Sequence, residues 1–224
     1  MHRISFRAAA AAALLASAFG LTPAAWAGNF SVTVVDKEGK PVQDAVVVLV
    51  PTGTAVPRTP LPMQVTINQE KMRFIPAVSL VGVGAKARFV NSDPWEHHVR
   101  ASAAGAAQFS AAPGEGFELR MDGKAEGKPA KTADASFDKA GAVLLGCHLH
   151  ASMRGNVFVS DSPWAVLTNA EGVATFEDVP EGVTKYRVWQ ADQIIDLPGQ
   201  QVTLTAAPAR ATMQLSVVPR RRRV

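Results

Sequence analysis

The 224-residue sequence holds a single cysteine, Cys147, a single tyrosine, and a formal net charge of only +4. One cysteine excludes an internal disulfide, so the thiol is buried, paired between molecules, reactive or bound to metal. The slight charge excludes a strong field for nucleic acid or anionic lipid. Also missing are a phosphate-cradling glycine loop, any interleaving of basic and aromatic residues suited to nucleic acid, and a sustained helical period outside the first residues.

What is present begins with a leader. Arg3 and Arg7 precede an apolar stretch from Ala8 to Leu21, and Ala25-Trp26-Ala27 stands before Gly28. This is the layout of a secretory signal peptide, residues 1–27, cleaved after Ala27. The stretch is shorter than the roughly 20 residues that span a bilayer, and no second one follows. With no arginine pair in the head and no cysteine at the cut, the expectation is general export, unlipidated, to a bacterial periplasm. Cleavage leaves 197 residues, enough for one large or two small domains, and lowers Lys plus Arg from 23 to 21 against 19 acidic groups. The arginines 220–223 form the only basic cluster, read as a solvated tail over residues 219–224. In an oxidising compartment a free exposed thiol is a liability, which favours burial or ligation of Cys147.

The rest of the chain reads as β. Short segments at 31–35, 45–50, 87–90, 97–102, 117–121, 142–147, 156–160, 173–176 and 186–190 are rich in Val, Phe and Leu, and Gly, Pro, Asn or Asp separate them. Many short strands at such intervals predict an all-β chain of Greek-key β-sandwich type. The stretch 123–135, "GKAEGKPAKTADA", has little to bury and is expected to be a mobile loop.

Residues 146–155, "GCHLHASMRG", crowd the cysteine, two of five histidines and one of six methionines together. Strand alternation puts Val143, Leu145 and Cys147 on one inward face. His150 follows three residues after the sulfur and Met153 three after that, within a loop able to curl all three donors toward one point. A buried cysteine followed by a surface loop is the plain alternative, but it gives no role to the methionine or to a further histidine. That histidine lies in "FVNSDPWEHHVR", where alternation turns His97, Val99 and Ala101 inward and His98, Arg100 and Ser102 outward. A lone inward histidine is commonly a hydrogen-bonded core residue. Here it opens a strand after a Pro-containing loop, where the loops of a sandwich end meet.

Two imidazoles, a thiolate and a weak thioether are the donors of a blue-copper centre, three in a plane and the methionine along the axis. Zinc would accept the cysteine and histidines but has no reason to recruit the methionine. At these residues the sequence resembles the cupredoxins, the family of plastocyanin, amicyanin and pseudoazurin. Cys147-x2-His150-x2-Met153 has the spacing of amicyanin-type loops, and Val90-Asn91 followed by His97-His98-Val99 is similar to the strand and loop bearing the family's first histidine. "FDKAG" before the cysteine strand and "INQEKMRFIPAVSLVGVGAKARFVN", with Phe74-x-Pro76 and the Gly84 turn, extend the likeness over about 62–161. It is nearest to larger periplasmic proteins labelled methylamine-utilisation or plastocyanin-like. Two departures stand out: His148, an extra potential ligand beside the cysteine, and a long Ala/Gly-rich segment between the histidine strands.

The flanks, "VTVVDKEGKPVQDAVVVLVP" and "LTNAEGVATFEDVPEGVTKYRVW", resemble two halves of a carboxypeptidase-regulatory or transthyretin-like sandwich. A lone hairpin is marginal in water. The expected organisation is therefore a discontinuous small sandwich from 28–58 and 162–218, with a cupredoxin domain, 62–161, inserted between its strands. A continuous extension of the cupredoxin sheet is the alternative.

The resemblance implies a periplasmic type 1 copper ion, Cu(I)/Cu(II), held by His97, Cys147, His150 and Met153, in a protein that is not an enzyme. It would carry single electrons between redox proteins such as a c-type cytochrome or a periplasmic oxidoreductase, with His150 at the exposed edge beside Leu149 and Ala151. Storage or delivery of Cu(I), or copper resistance, helped by His148 and Met153, is the rival, and an adhesion or carbohydrate-binding module with an inert cysteine is a third. A Cys147–His150 nucleophile pair is disfavoured because both sit on one loop and no orienting acid is evident. Glu96 could support the His97 ring or simply face solvent, and Trp95 and Trp164 could cover the site or fill the core.

Overall fold

The apolar alternation of the segments above becomes sixteen strands in the computed structural model, which describes residues 27–110 and 116–220. All of the signal-peptide reading but its last residue, Ala27, falls on residues 1–26 and most of the basic tail on 221–224, and these lie outside the described residues. Strands β1 (Ala27–Val35) and β2 (Val46–Pro51) open the chain. They are followed by β3 (Gln64–Glu70), β4 (Arg73–Ile75), β5 (Val78–Gly82), β6 (Ala85–Asn91), β7 (His97–Ala103) and β8 (Phe117–Met121). Next come β9 (Lys131–Phe137), β10 (Gly141–Cys147), β11 (Arg154–Ser160) and β12 (Ala165–Leu167). The last four are β13 (Val173–Pro180), β14 (Gly182–Trp189), β15 (Gln200–Leu204) and β16 (Ala209–Gln214). A single 3₁₀ turn at Gly105–Phe109 is the only helix among the described residues.

The fold is all-β and built of sandwiches. A three-stranded sheet, β13-β1-β16, shares one core with a four-stranded sheet, β12-β2-β14-β15. Phe30, Leu49, Trp164, Phe176 and Tyr186 fill it. A second pair of sheets, β4-β3-β6-β9 and β5-β11-β10-β7-β8, encloses another core around Ile67, Phe74, Phe89, Val99, Leu145 and Val157. Each sheet is apolar on at least one side and must cover that side against another layer.

Strand β2 explains how the two cores meet. Its run Val46-Val47-Val48-Leu49 is fully buried on both faces. Val47 and Leu49 enter the first core, while Val46 and Val48 turn the other way to join Val78, Phe158, Ala165 and Trp189. An unbroken aliphatic run is what a strand covered on both sides requires. The Phe158 and Trp189 rings lie 5.3 Å apart in this junction.

One expectation needs correction. The stretch 123–135 is a loop only in its first part, because β9 takes its end and pairs with β6 from Ala85 opposite Phe137 to Asn91 opposite Lys131. Ala133 and Ala135 alternate toward the core with Phe137, and residues that small give a weak apolar signal in sequence. The polar face of β9 is held outside, where Asp134 accepts two hydrogen bonds from the Arg88 guanidinium at 3.0 and 3.1 Å.

Candidate metal centre

The centre lies at one end of the second sandwich, where the turn into β7 meets the loop after β10. Asn91 ends β6 fully buried and organises that turn. Its amide nitrogen donates to the carbonyls of Trp95 at 2.9 Å and Asp122 at 3.0 Å and lies 3.3 Å from that of Met121, while its oxygen accepts the Asp93 N–H at 3.0 Å. Buried carbonyls without partners would each be costly, so one side chain satisfies a whole loop. Gly123 closes it: a Cβ there would fall 2.1 Å from the Pro94 carbonyl oxygen, so only glycine permits the approach.

This frame delivers His97 to the start of β7 with its ring at 0% exposure. Alternation then places Val99 and Ala101 inward beside it and leaves His98 and Arg100 outward, as expected from the sequence. β7 pairs with β10 in the register Cys147 opposite Val99, which brings the cysteine alongside the histidine strand.

The loop from Cys147 to Met153 is closed by its own backbone. The Met153 N–H donates to the His150 carbonyl at 2.9 Å, the His150 N–H to the Cys147 carbonyl at 3.3 Å, and the Cys147 N–H to the Met153 carbonyl at 3.3 Å. These turns fold His150 back over the sulfur. Cys147 Sγ lies 3.4 Å from His150 Nδ1 and 3.6 Å from His97 Nδ1, and the three atoms are all within 4.8 Å of one another. The two imidazoles meet edge to face, centroids 4.9 Å apart. Met153 is buried and belongs to the same apolar cluster as Cys147, so its thioether does not face solvent.

On its far side His97 is anchored. Its Nε2 lies 2.8 Å from Asp93 Oδ2, and both residues are buried. Burial alone would raise the Asp93 carboxyl, but hydrogen bonds from the Met72 N–H, His97 and the Lys71 N–H outweigh it and hold the group below the usual carboxylate range. Asp93 is the residue the sequence reading passed over: it stands behind His97, whereas the nucleophile pair considered from the sequence had His150 as its base. The spacing Asp93 to His97 was the available signal: a turn that buries a histidine at a strand start can bury a residue four places earlier with it. Glu96 instead pairs with the Arg120 guanidinium at the surface.

Other candidates fall outside the cluster. His148 is exposed on the outer face of the sheet, its ring 5.6 Å from that of His98. His98 Nε2 lies 3.2 Å from Glu118 Oε2, and Arg100 lies beside both Glu118 and His148. Strand alternation puts these groups on the opposite side from the sulfur. Trp164 fills the other sandwich core, while Trp95 is 41% exposed near the centre. Leu149 and Ala151 are exposed on the loop itself.

No protein-family model and no curated protein matches the chain. Among solved structures it is similar to amicyanin from Paracoccus versutus, with 21% identity over 50% of this chain and 97% of that one, at a TM-score of 0.31. It is also similar to a purple cupredoxin from Nitrosopumilus maritimus, with 16% identity over 43% of this chain and 99% of that one, TM-score 0.32. A third is a Cu-containing nitrite reductase from Thermus scotoductus, with 20% identity over 57% of this chain and 28% of that one, TM-score 0.35. Among the described residues no helix is long and apolar enough to cross a membrane.

Proposed function

We propose that this chain is a type 1 copper protein carrying single electrons between redox partners. The observation that supports the reading is the placement of two Nδ1 atoms, from strands and loops far apart in sequence, at 3.6 and 3.4 Å from one buried cysteine sulfur. An ion about 2.3 Å from sulfur and about 2.0 Å from nitrogen would hold those atoms roughly 3.5–3.7 Å apart, so the donor set is already spaced for a metal. Met153, buried in the same cluster as Cys147, would be the fourth donor. Two imidazoles, a thiolate and a thioether suit copper in both oxidation states better than zinc.

Bound copper would supply the one-electron couple, and the chain does the remainder. Cys147 would be held as thiolate, His97 is fixed by the core, and the short backbone-bonded loop holds His150 against the sulfur. The half-buried His150, next to exposed Leu149 and Ala151, offers the edge at which a partner could dock. A c-type cytochrome or a periplasmic oxidoreductase remains the partner class we favour, in keeping with an exported chain. We further read 62–161 as a domain inserted into a small supporting sandwich from 28–58 and 162–218, of carboxypeptidase-regulatory type.

His148, one of the two residues on which the Cu(I)-storage reading leaned, faces Arg100 and away from the sulfur, which favours electron transfer over storage. The row Cys147–His97–Asp93 has the order of a nucleophile, a base and an orienting acid. Cys147 is 7% exposed and its sulfur is flanked by a second imidazole, which suits ligation better than attack on a substrate. We accordingly take the chain not to be an enzyme.

The test is addition of Cu(II) to metal-free protein. One equivalent should give an intense visible thiolate band that bleaches on reduction and returns on oxidation, and Cys147→Ser should abolish it. A colourless complex with Cu(I) alone would point to storage. Unchanged metal content in Cys147→Ala would point to an inert module.

A further inference from the structure

We propose that Asp93 is the positioning residue of this centre: its carboxylate holds the Nε2 hydrogen of His97, leaves the Nδ1 lone pair aimed at Cys147, and sets a negative charge behind the imidazole. The inference rests on the copper reading above for its effect on the metal, and on the chain alone for its effect on His97.

The argument is a count of donors. Asp93 Oδ1 accepts the Lys71 N–H at 2.6 Å, and Oδ2 accepts the Met72 N–H at 3.0 Å and meets His97 Nε2 at 2.8 Å. An ionised carboxylate can only accept, so Nε2 must carry the hydrogen. A ring carrying that one hydrogen is bare at Nδ1, and that is the atom facing the sulfur at 3.6 Å. An asparagine in the same place has one acceptor oxygen. In either orientation its NH2 group would confront at least one of the three donors, so the site is built for an acid and not merely for a polar side chain.

The carboxylate is itself tied down. Lys71 and Met72 form the two-residue connection between β3 and β4, with φ of 53° and 59°. Two non-glycine residues in the left-handed region are an uncommon choice for a hairpin turn. Their amides point at Asp93, so the ring of His97 is referenced to the opposite sheet as well as to its own loop. With Asp93 at 3% and His97 at 0% exposure, little water screens the contact. A carboxylate on the remote nitrogen makes a ligating imidazole more basic and fixes its orientation. The added negative charge favours Cu(II) over Cu(I).

The test compares the wild-type chain with Asp93→Asn. Nitrogen NMR of metal-free wild type should report His97 protonated at Nε2, and a ring protonated at Nδ1 would overturn the proposal. In Asp93→Asn the ratio of Cu(II) to Cu(I) affinity should fall about tenfold, read as a potential raised by about 59 mV for one electron. A variant that melts earlier but keeps the wild-type potential would show a merely structural acid and sink the claim about charge. If Asp93→Asn does not fold, the wild-type ring still decides whether Asp93 sets the tautomer. If wild type binds no copper, the functional reading and the claim about charge fall together, and the NMR result alone judges the hold on His97.

Discussion

His97 Nδ1 lies 3.6 Å from Cys147 Sγ although fifty residues separate the two along the chain. Neither side chain reaches for the other. Each is delivered by its backbone, His97 by the loop that Asn91 and Gly123 shape and Cys147 by the end of β10. Changes to that scaffold should therefore register at the centre.

Asn91→Ala removes the partner of the Trp95 and Asp122 carbonyls and of the Asp93 N–H. Leaving such groups buried and unpaired costs about 1–3 kcal/mol each, so a loss of about 3 kcal/mol in urea unfolding is expected. Copper occupancy should fall with it, because the Asp93–His97 turn is no longer held.

Gly123→Ala places a methyl group against the Pro94 carbonyl. Overpacking of this kind costs about 1–3 kcal/mol. The lowered unfolding midpoint should be accompanied by a shifted His97 ring resonance, since the displaced Pro94 lies in the turn between Asp93 and His97.

Met72→Gly relieves a left-handed φ of 59° on an exposed residue. Strain at such a position is of order 1–3 kcal/mol, and glycine's greater chain entropy takes back about 0.5–1. A net gain of about 1 kcal/mol in unfolding free energy is expected, with the backbone N–H to Asp93 retained.

His98→Ala and His148→Ala alter the outer face of the β7–β10 sheet. Each variant should bind one copper with the wild-type visible band, measured by titration. A lost band in either would show that the metal is held on the wrong side of the sheet for the centre proposed above.

Much of this was legible in the linear chain, and for a physical reason: strand alternation is a local property. The inward row Val143, Leu145, Cys147 and the pairing of inward His97 with outward His98 follow from period two alone, and the structure has them on those faces. The double-faced burial of β2 was equally present in its aliphatic run. Strand β9 was hidden, because alanine carries too little apolar area to distinguish a covered strand from a loop.

Local order along the chain was enough to fix the face on which each candidate donor of β7 and β10 stands, since pleat direction needs only near neighbours. Tertiary structure alone decided that Asp93, and not the adjacent Glu96, would support His97. That choice depends on where the Lys71–Met72 turn of another strand pair presents its amides and on where Arg120 draws Glu96, and neither is written in the local order of residues.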